Sequence, residues 1–143
     1  MSSVYSQQSK LAAYRSVTAH GVVADGDPHS LVLSLFDAIL GRLTTVRGCI
    51  DKGEVTRKAS LLHSSVTLLA ELRGSLDMHK GGSLAHNLSD LYEYMTRRLI
   101  HANLNDDAAA VSEVLGLLSE IRGAWAAIGP EVRPSGPRTA QTG

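Results

Sequence analysis

Six histidines, at positions 20, 29, 63, 79, 86 and 101, are scattered along the 143-residue chain, and any acid–base or metal chemistry has to be assembled around them. A di-metal centre in a helical bundle takes a Glu-x-x-His motif from each of two helices, because residues three apart share a helix face. None of Glu54, Glu71, Glu93, Glu113, Glu120 or Glu131 has a histidine three residues later. A His-Glu-x-x-His zinc pair and a phosphate-cradling Gly-x-x-x-x-Gly-Lys-Ser/Thr loop are absent from the sequence. Ser83, His86 and Asp90 supply the residue types of a hydrolytic triad. All three fall on one helix, where Ser83 reads as a cap and His86–Asp90 as a contact four residues apart. The lone Cys49 excludes an internal disulfide and a cysteine-rich zinc site, and reads as a small helix residue. The expectation is no catalytic set, no metal site and no cofactor.

Charge narrows the classes further. Fourteen basic and fourteen acidic residues cancel, so no net field draws the chain to nucleic acid or anionic lipid. Arg97-Arg98 is the one arginine doublet, and it falls at a helix end, where cations complement the helix dipole. Hydrophobic residues at 43% and charged residues at 20% are ordinary for a folded domain, and the length suits a single one. The start, MSSVYSQQSKLAAYRS, lacks the apolar core of a secretory signal, and no stretch reads as a span of ~20 apolar residues. A cytoplasmic protein without membrane insertion is expected.

The elements that would position any site are helices. Asp27 and Pro28 open the first, in which Leu31, Leu35, Ile39, Leu43, Val46 and Ile50 recur at three- and four-residue spacing up to Gly53. The second starts near Glu54 and aligns Ala59, Leu62, Val66, Leu69, Leu72 and Leu76, with Gly81-Gly82 as its stop after Lys80. Ser83 caps the third, striped by Leu84, Leu88, Leu91, Met95 and Leu99. Asn105-Asp106-Asp107 turns the chain into the fourth, which carries Val111, Val114, Leu118, Ile121 and Trp125 before Gly129-Pro130. Short connections favour antiparallel neighbours. The pattern predicts an all-α antiparallel four-helix bundle over residues 28–129, a flexible N-terminal arm over 1–27 and a disordered C-terminal tail over 130–143.

Some apolar arcs are wider than a bundle core requires. Leu33, Phe36 and Leu40 drift to one side of the first stripe, and Leu61, Leu68 and Leu72 form a second row on helix two. Leu117 and Ile128 flank the stripe of helix four, and Tyr94 lies off that of helix three. Neighbouring helices can cover such rows. Together they also suit a surface groove for an amphipathic segment of a partner.

The run from Ser75 to Asp107 resembles the flagellar secretion chaperone family, FliS. The resemblance is carried by Ser75-Leu76-Asp77, Gly81-Gly82, Asn87-Leu88, Leu91-Tyr92-Glu93-Tyr94-Met95, Arg97-Arg98-Leu99 and Ala102-Asn103. Pro28 to Ala38 is similar to the family's first-helix opening, and Val114 to Trp125 to its last helix. The resemblance implies a cytoplasmic helical bundle that binds the disordered C-terminal segment of flagellin, blocks premature polymerisation and promotes export. It makes the row residues Leu33, Phe36, Leu40, Leu61, Leu68, Leu72, Tyr94, Leu117 and Ile128 candidates for a flagellin-binding groove.

The family's N-terminal arm lies over part of the client groove, and its aromatic residue engages the flagellar export gate protein. Tyr14 is the best match, with Tyr5 second, although Asp25-Gly-Asp-Pro28 replaces the family's Thr-Ala-Ser-Pro and lengthens the interval to Tyr14. A homodimer, or a regulatory bundle that binds another partner such as an anti-sigma factor, stays open as an alternative.

Overall fold

The computed structural model describes residues 27–128, and Tyr5, Tyr14, the arm and the tail lie outside them. Four helices account for the described chain: α1 (Pro28–Lys52), α2 (Val55–Gly74), α3 (Gly82–Asn105) and α4 (Ala108–Ile128). The chain divides into two compact units, Asp37–Ser119 and the flanking pieces up to Phe36 and from Glu120.

Helix boundaries follow from local chemistry. Asp27 opens α1: its Oδ1 accepts the N–H groups of His29 (3.1 Å) and Ser30 (3.4 Å), and Ser30 Oγ donates to its Oδ2 (2.7 Å). Those groups otherwise lack partners at a helix start, and Pro28 occupies a position that needs no N–H. Gly53 closes the helix at φ 69°, with its N–H on the Ile50 carbonyl and the Glu54 N–H on that of Cys49. This is a Schellman closure, which requires a left-handed residue and so favours glycine. Asp106 takes the equivalent position after α3 at φ 51°, and Asp107 then caps α4 by accepting the Ala110 N–H at 3.1 Å.

The connection between α2 and α3 corrects two expectations. The second helix stops at Gly74, well before Gly81-Gly82, and Lys80 lies in the turn. There Asp77 organises the chain, its Oδ1 accepting the N–H groups of His79 and Lys80 and its carbonyl that of Gly81. The glycine pair begins α3, with Gly81 as the N-cap position, so Ser83 is not the cap. A Cβ on Gly81 would come within 2.6 Å of the Ala85 Cβ and 2.8 Å of the Asp77 carbonyl oxygen, and Gly82 sits at φ 55°. Gly81 lacks room for a side chain, whereas Gly82 has room and is favoured only by its left-handed backbone.

In the unit Asp37–Ser119 the helices pack antiparallel. Lys58, early in α2, reaches Asn103 and Asp106 at the end of α3, while Arg73, late in α2, meets Ser89 early in α3. Arg98 of α3 pairs with Glu113 of α4, and Arg47 of α1 donates to Ser112 of α4. Ile39, Leu43, Val46, Leu62, Leu69, Leu72, Met95, Leu99, Val111, Val114 and Leu118 are buried in this unit. That apolar burial is the main force holding helices that would be marginal alone.

Helix α3 is rotated from its expected stripe. Its buried face runs through Ala85, Ser89, Tyr92, Met95, Leu99 and Ala102, and Leu84 is 66% exposed. Small residues at 85 and 89 let α2 and the Gly81 turn come close, which a leucine would prevent. Helix α1 is long and apolar enough, by length and composition, to cross a membrane, contrary to the expectation that no stretch reads as a span. Its stripe of Leu35, Ile39, Leu43 and Val46 is buried within the protein.

Candidate functional site

Helices α2 and α3 lie side by side without closing over each other. Between them is a cavity of about 540 Å³, lined by Val66, Leu69 and Ala70 of α2, Leu76 and Met78 of the connection, and Tyr92 and Thr96 of α3. Gly74 adds no bulk there, and Arg73, Ser89 and Glu93 supply the polar lining. The spacing is a consequence of sequence: Val66, Leu69, Ala70 and Arg73 recur every three or four residues, so they share a helix face. Tyr92 is almost wholly buried, and burial pushes its phenol up to about 12, so it stays neutral and acts as apolar wall.

The same helix pair carries exposed apolar side chains at its other end. Val55 is 62% exposed, Ile100 50% and Leu104 77%. These apolar groups are left in water on two neighbouring helices.

Among the residues that the sequence offered for a groove, Phe36, Leu68 and Leu72 are at most 4% exposed and form core. A wide apolar arc on these helices is filled by packing, so those three present no surface in this structure. Leu33, Leu40, Leu61 and Leu117 are half-buried, and Ile128 is exposed. Tyr94 is half-buried, and its hydroxyl donates to Glu113 Oε2, while the Arg98 Nε–H donates to Glu113 Oε1 at 2.8 Å. The Tyr94 bond and then the Arg98 bond hold the Glu113 carboxyl below its ordinary range, since both favour the charged form. Tyr94 thus fastens α3 to α4.

Reading the sequence alone missed Ala70, Arg73, Met78 and Ser89. The signal that could have found them is the pairing of small residues on α3 with the interrupted end of α2. Cys49 is buried, and burial raises its thiol above the ordinary 9.0, the direction opposite to a reactive thiolate. Ser83, His86 and Asp90 are exposed on α3, and His86 Nδ1 sits 3.0 Å from the Gly82 carbonyl, a contact within its own helix.

The described residues define a class: an all-α bundle with an open, largely apolar cavity between two of its helices. The family model described as Flagellar protein FliS matches residues 10–132. The chain belongs to this FliS family. It is 41% identical over 124 residues to the flagellar secretion chaperone FliS of Salmonella typhimurium, covering 86% of this chain and 92% of the relative. It is 37% identical over 112 residues to the flagellar secretion chaperone FliSB of Pseudomonas aeruginosa, covering 78% and 89%. With the flagellar secretion chaperone FliS of Vibrio cholerae the identity is 30% over 121 residues, covering 85% and 89%.

Proposed function

We propose that this chain is a cytoplasmic flagellar secretion chaperone that captures the disordered C-terminal segment of flagellin, without catalysis, in the groove between α2 and α3. Capture prevents premature polymerisation and presents the subunit for export. The observation that carries the reading is the apolar groove whose accessible walls are Val66, Ala70, Leu76 and Met78, over a floor of the buried Leu69 and Tyr92. A disordered client loses ~2–5 kcal/mol of free energy to ordering when it folds on its partner, so it needs a long apolar surface in return. The exposed Val55, Ile100 and Leu104 on the same helix pair extend the surface available. An amphipathic helix of the client would lie along it with anchors at i, i+3, i+4 and i+7.

Leu40, Leu61 and Leu117, half-buried, and Leu33 and Ile128 lie outside this lining and stand as further candidates. The arm tyrosines Tyr5 and Tyr14 are assigned to the later contact with the export gate protein. The test is calorimetric titration of the full chain with a peptide of the flagellin C-terminal segment. Saturable binding is expected at micromolar or lower concentration. The double substitution Ala70→Asp/Met78→Asp places charge on two exposed groove positions, so it should weaken binding at least about tenfold with the circular dichroism unchanged. An affinity equal to that of the unsubstituted chain would remove the groove from the reading.

A further inference from the structure

Among the lining residues of the groove one side chain is cationic, and it is fixed from below. The Arg73 Nε–H donates to Ser89 Oγ at 2.7 Å, and Ser89 is buried. One Nη of Arg73 lies 3.6 Å from Glu93 Oε1, an ion-pair distance too long for a hydrogen bond. A guanidinium offers five N–H donors in a rigid fork. Among the described residues only the Nε–H finds a hydrogen-bond acceptor, so the four on Nη remain for something else. Glu93 is also shared with Arg97, at 3.5 Å, which leaves two guanidinium groups against one carboxylate. The lining itself thus carries one guanidinium and one carboxylate, and Arg97 adds a second guanidinium beside them.

Apolar contact alone does not set the register of a bound helix. A helix displaced by one turn along a groove buries nearly the same area, whereas a polar partner at one position distinguishes the two placements. We infer that Arg73 is the specificity-determining residue of this groove, its Nη–H groups, which make no hydrogen bond among the described residues, donating to one aspartate or glutamate of the client's amphipathic helix. The inference rests on the proposed capture of flagellin for the identity of the occupant. The Ser89 bond holds the plane of the fork before the client arrives, so less side-chain freedom is lost when the second pair of bonds forms. Carboxylate and guanidinium meet in a fork-to-fork geometry that tolerates little displacement, and this is what fixes register.

The experiment is a double-mutant cycle with the full chain and the flagellin C-terminal peptide. Arg73→Gln is expected to weaken binding about tenfold, the loss of one charge-assisted pair. Each Asp and Glu of the peptide is changed in turn to its amide. One position should lose the same factor against the unsubstituted chain and nothing further against Arg73→Gln. Arg73→Glu with arginine at that peptide position should then recover binding, which a merely structural Arg73 would not allow. Should Arg73→Gln lose helicity, the cycle runs with Arg73→Lys, which keeps the charge and removes the fork. Unchanged affinity on substitution of Arg73, or the lack of any coupled peptide position, overturns the register role and leaves capture in the groove standing. Failure of the unsubstituted chain to bind the peptide overturns both.

Discussion

His29 and Trp125 are 96 residues apart and exchange hydrogen bonds through each other's backbone. The Trp125 Nε1–H donates to the His29 carbonyl at 3.1 Å, and His29 Nε2 lies 2.8 Å from the Trp125 carbonyl. The rings stack with centroids 5.0 Å apart at 15°. A carbonyl partner requires the proton on Nε2, so the contact also selects the histidine tautomer. The first turn of α1 and the last turns of α4 are thereby closed on each other, in the unit that holds both.

Trp125→Phe keeps an aromatic ring and removes the donor, leaving the buried His29 without one of its partners. We expect a loss of about 1–2 kcal/mol, from one hydrogen bond and part of the stacking. In a chain of this size that lowers the melting temperature by roughly 3–8 °C. Thermal unfolding followed by circular dichroism at 222 nm measures it. A melting temperature within a degree of the original would show that the exchange adds nothing to stability.

Lys58 is a second point of closure. Its side chain is buried, and Nζ donates to the Asn103 carbonyl at 3.0 Å and to Asp106 Oδ1 at 2.6 Å. The stem of the lysine packs as an apolar residue, while its head serves the turn after α3. Lys58→Met keeps the stem and deletes the charge, and should cost about 2 kcal/mol because a carbonyl and a carboxylate lose their donor. Lys58→Ala also loses packing and should cost more. Urea unfolding separates the two, and a Met variant as stable as the original would place the whole effect in the stem.

The helices were legible in the sequence because their starts and stops have local causes. Asp27-Pro28, Gly53 and Asp106-Asp107 each act within a turn of themselves, and each appears where the spacing predicts. The groove was not legible, because it depends on which face of α3 meets α2. Leucine counting selects Leu84, Leu88 and Leu91, but Ala85, Ser89 and Tyr92 win since close approach of two helices favours small residues. Phe36, Leu68 and Leu72 looked surplus on one helix and are core in three dimensions. Gly81-Gly82 reads as a helix stop by composition, yet its work is to let the next helix begin against Ala85.

That pair can be tested by comparing two alanines. Gly82→Ala meets no neighbouring atom and is strained only by its positive φ, so it should cost about 1 kcal/mol. Gly81→Ala pushes a methyl against the Ala85 Cβ and the Asp77 carbonyl oxygen, neither of which is a flexible side-chain end. The turn must move, and the cost should exceed that at Gly82, in the ~1–3 kcal/mol range of overpacking. Equal stabilities in urea, or a milder effect at 81, would remove the close approach as the reason for glycine there.

Acid stability should trace to the two aspartate caps. The Ser30 hydroxyl bond holds the Asp27 carboxyl below its ordinary 3.8, and the Ala110 N–H does the same for Asp107, with His101 assisting. A carboxylate whose folded value is depressed binds fewer protons than its unfolded counterpart as pH falls through 3.8. Its contribution is therefore complete above the unfolded value and is lost as pH falls through the folded one. Asp27→Asn/Asp107→Asn retains side-chain oxygens suited to capping and removes the titration. The original chain should be the more stable at neutral pH, and the gap should narrow between about pH 5 and pH 2 until the two coincide. Glu113 is depressed in the same sense, mainly by Tyr94 and Arg98, which both chains keep, and it differs between them only through the minor repulsion that the Asp107 charge exerts on it. Urea midpoints measured across that range decide the matter: a gap that does not change with pH would mean that the caps act through geometry alone, with no share for their charge.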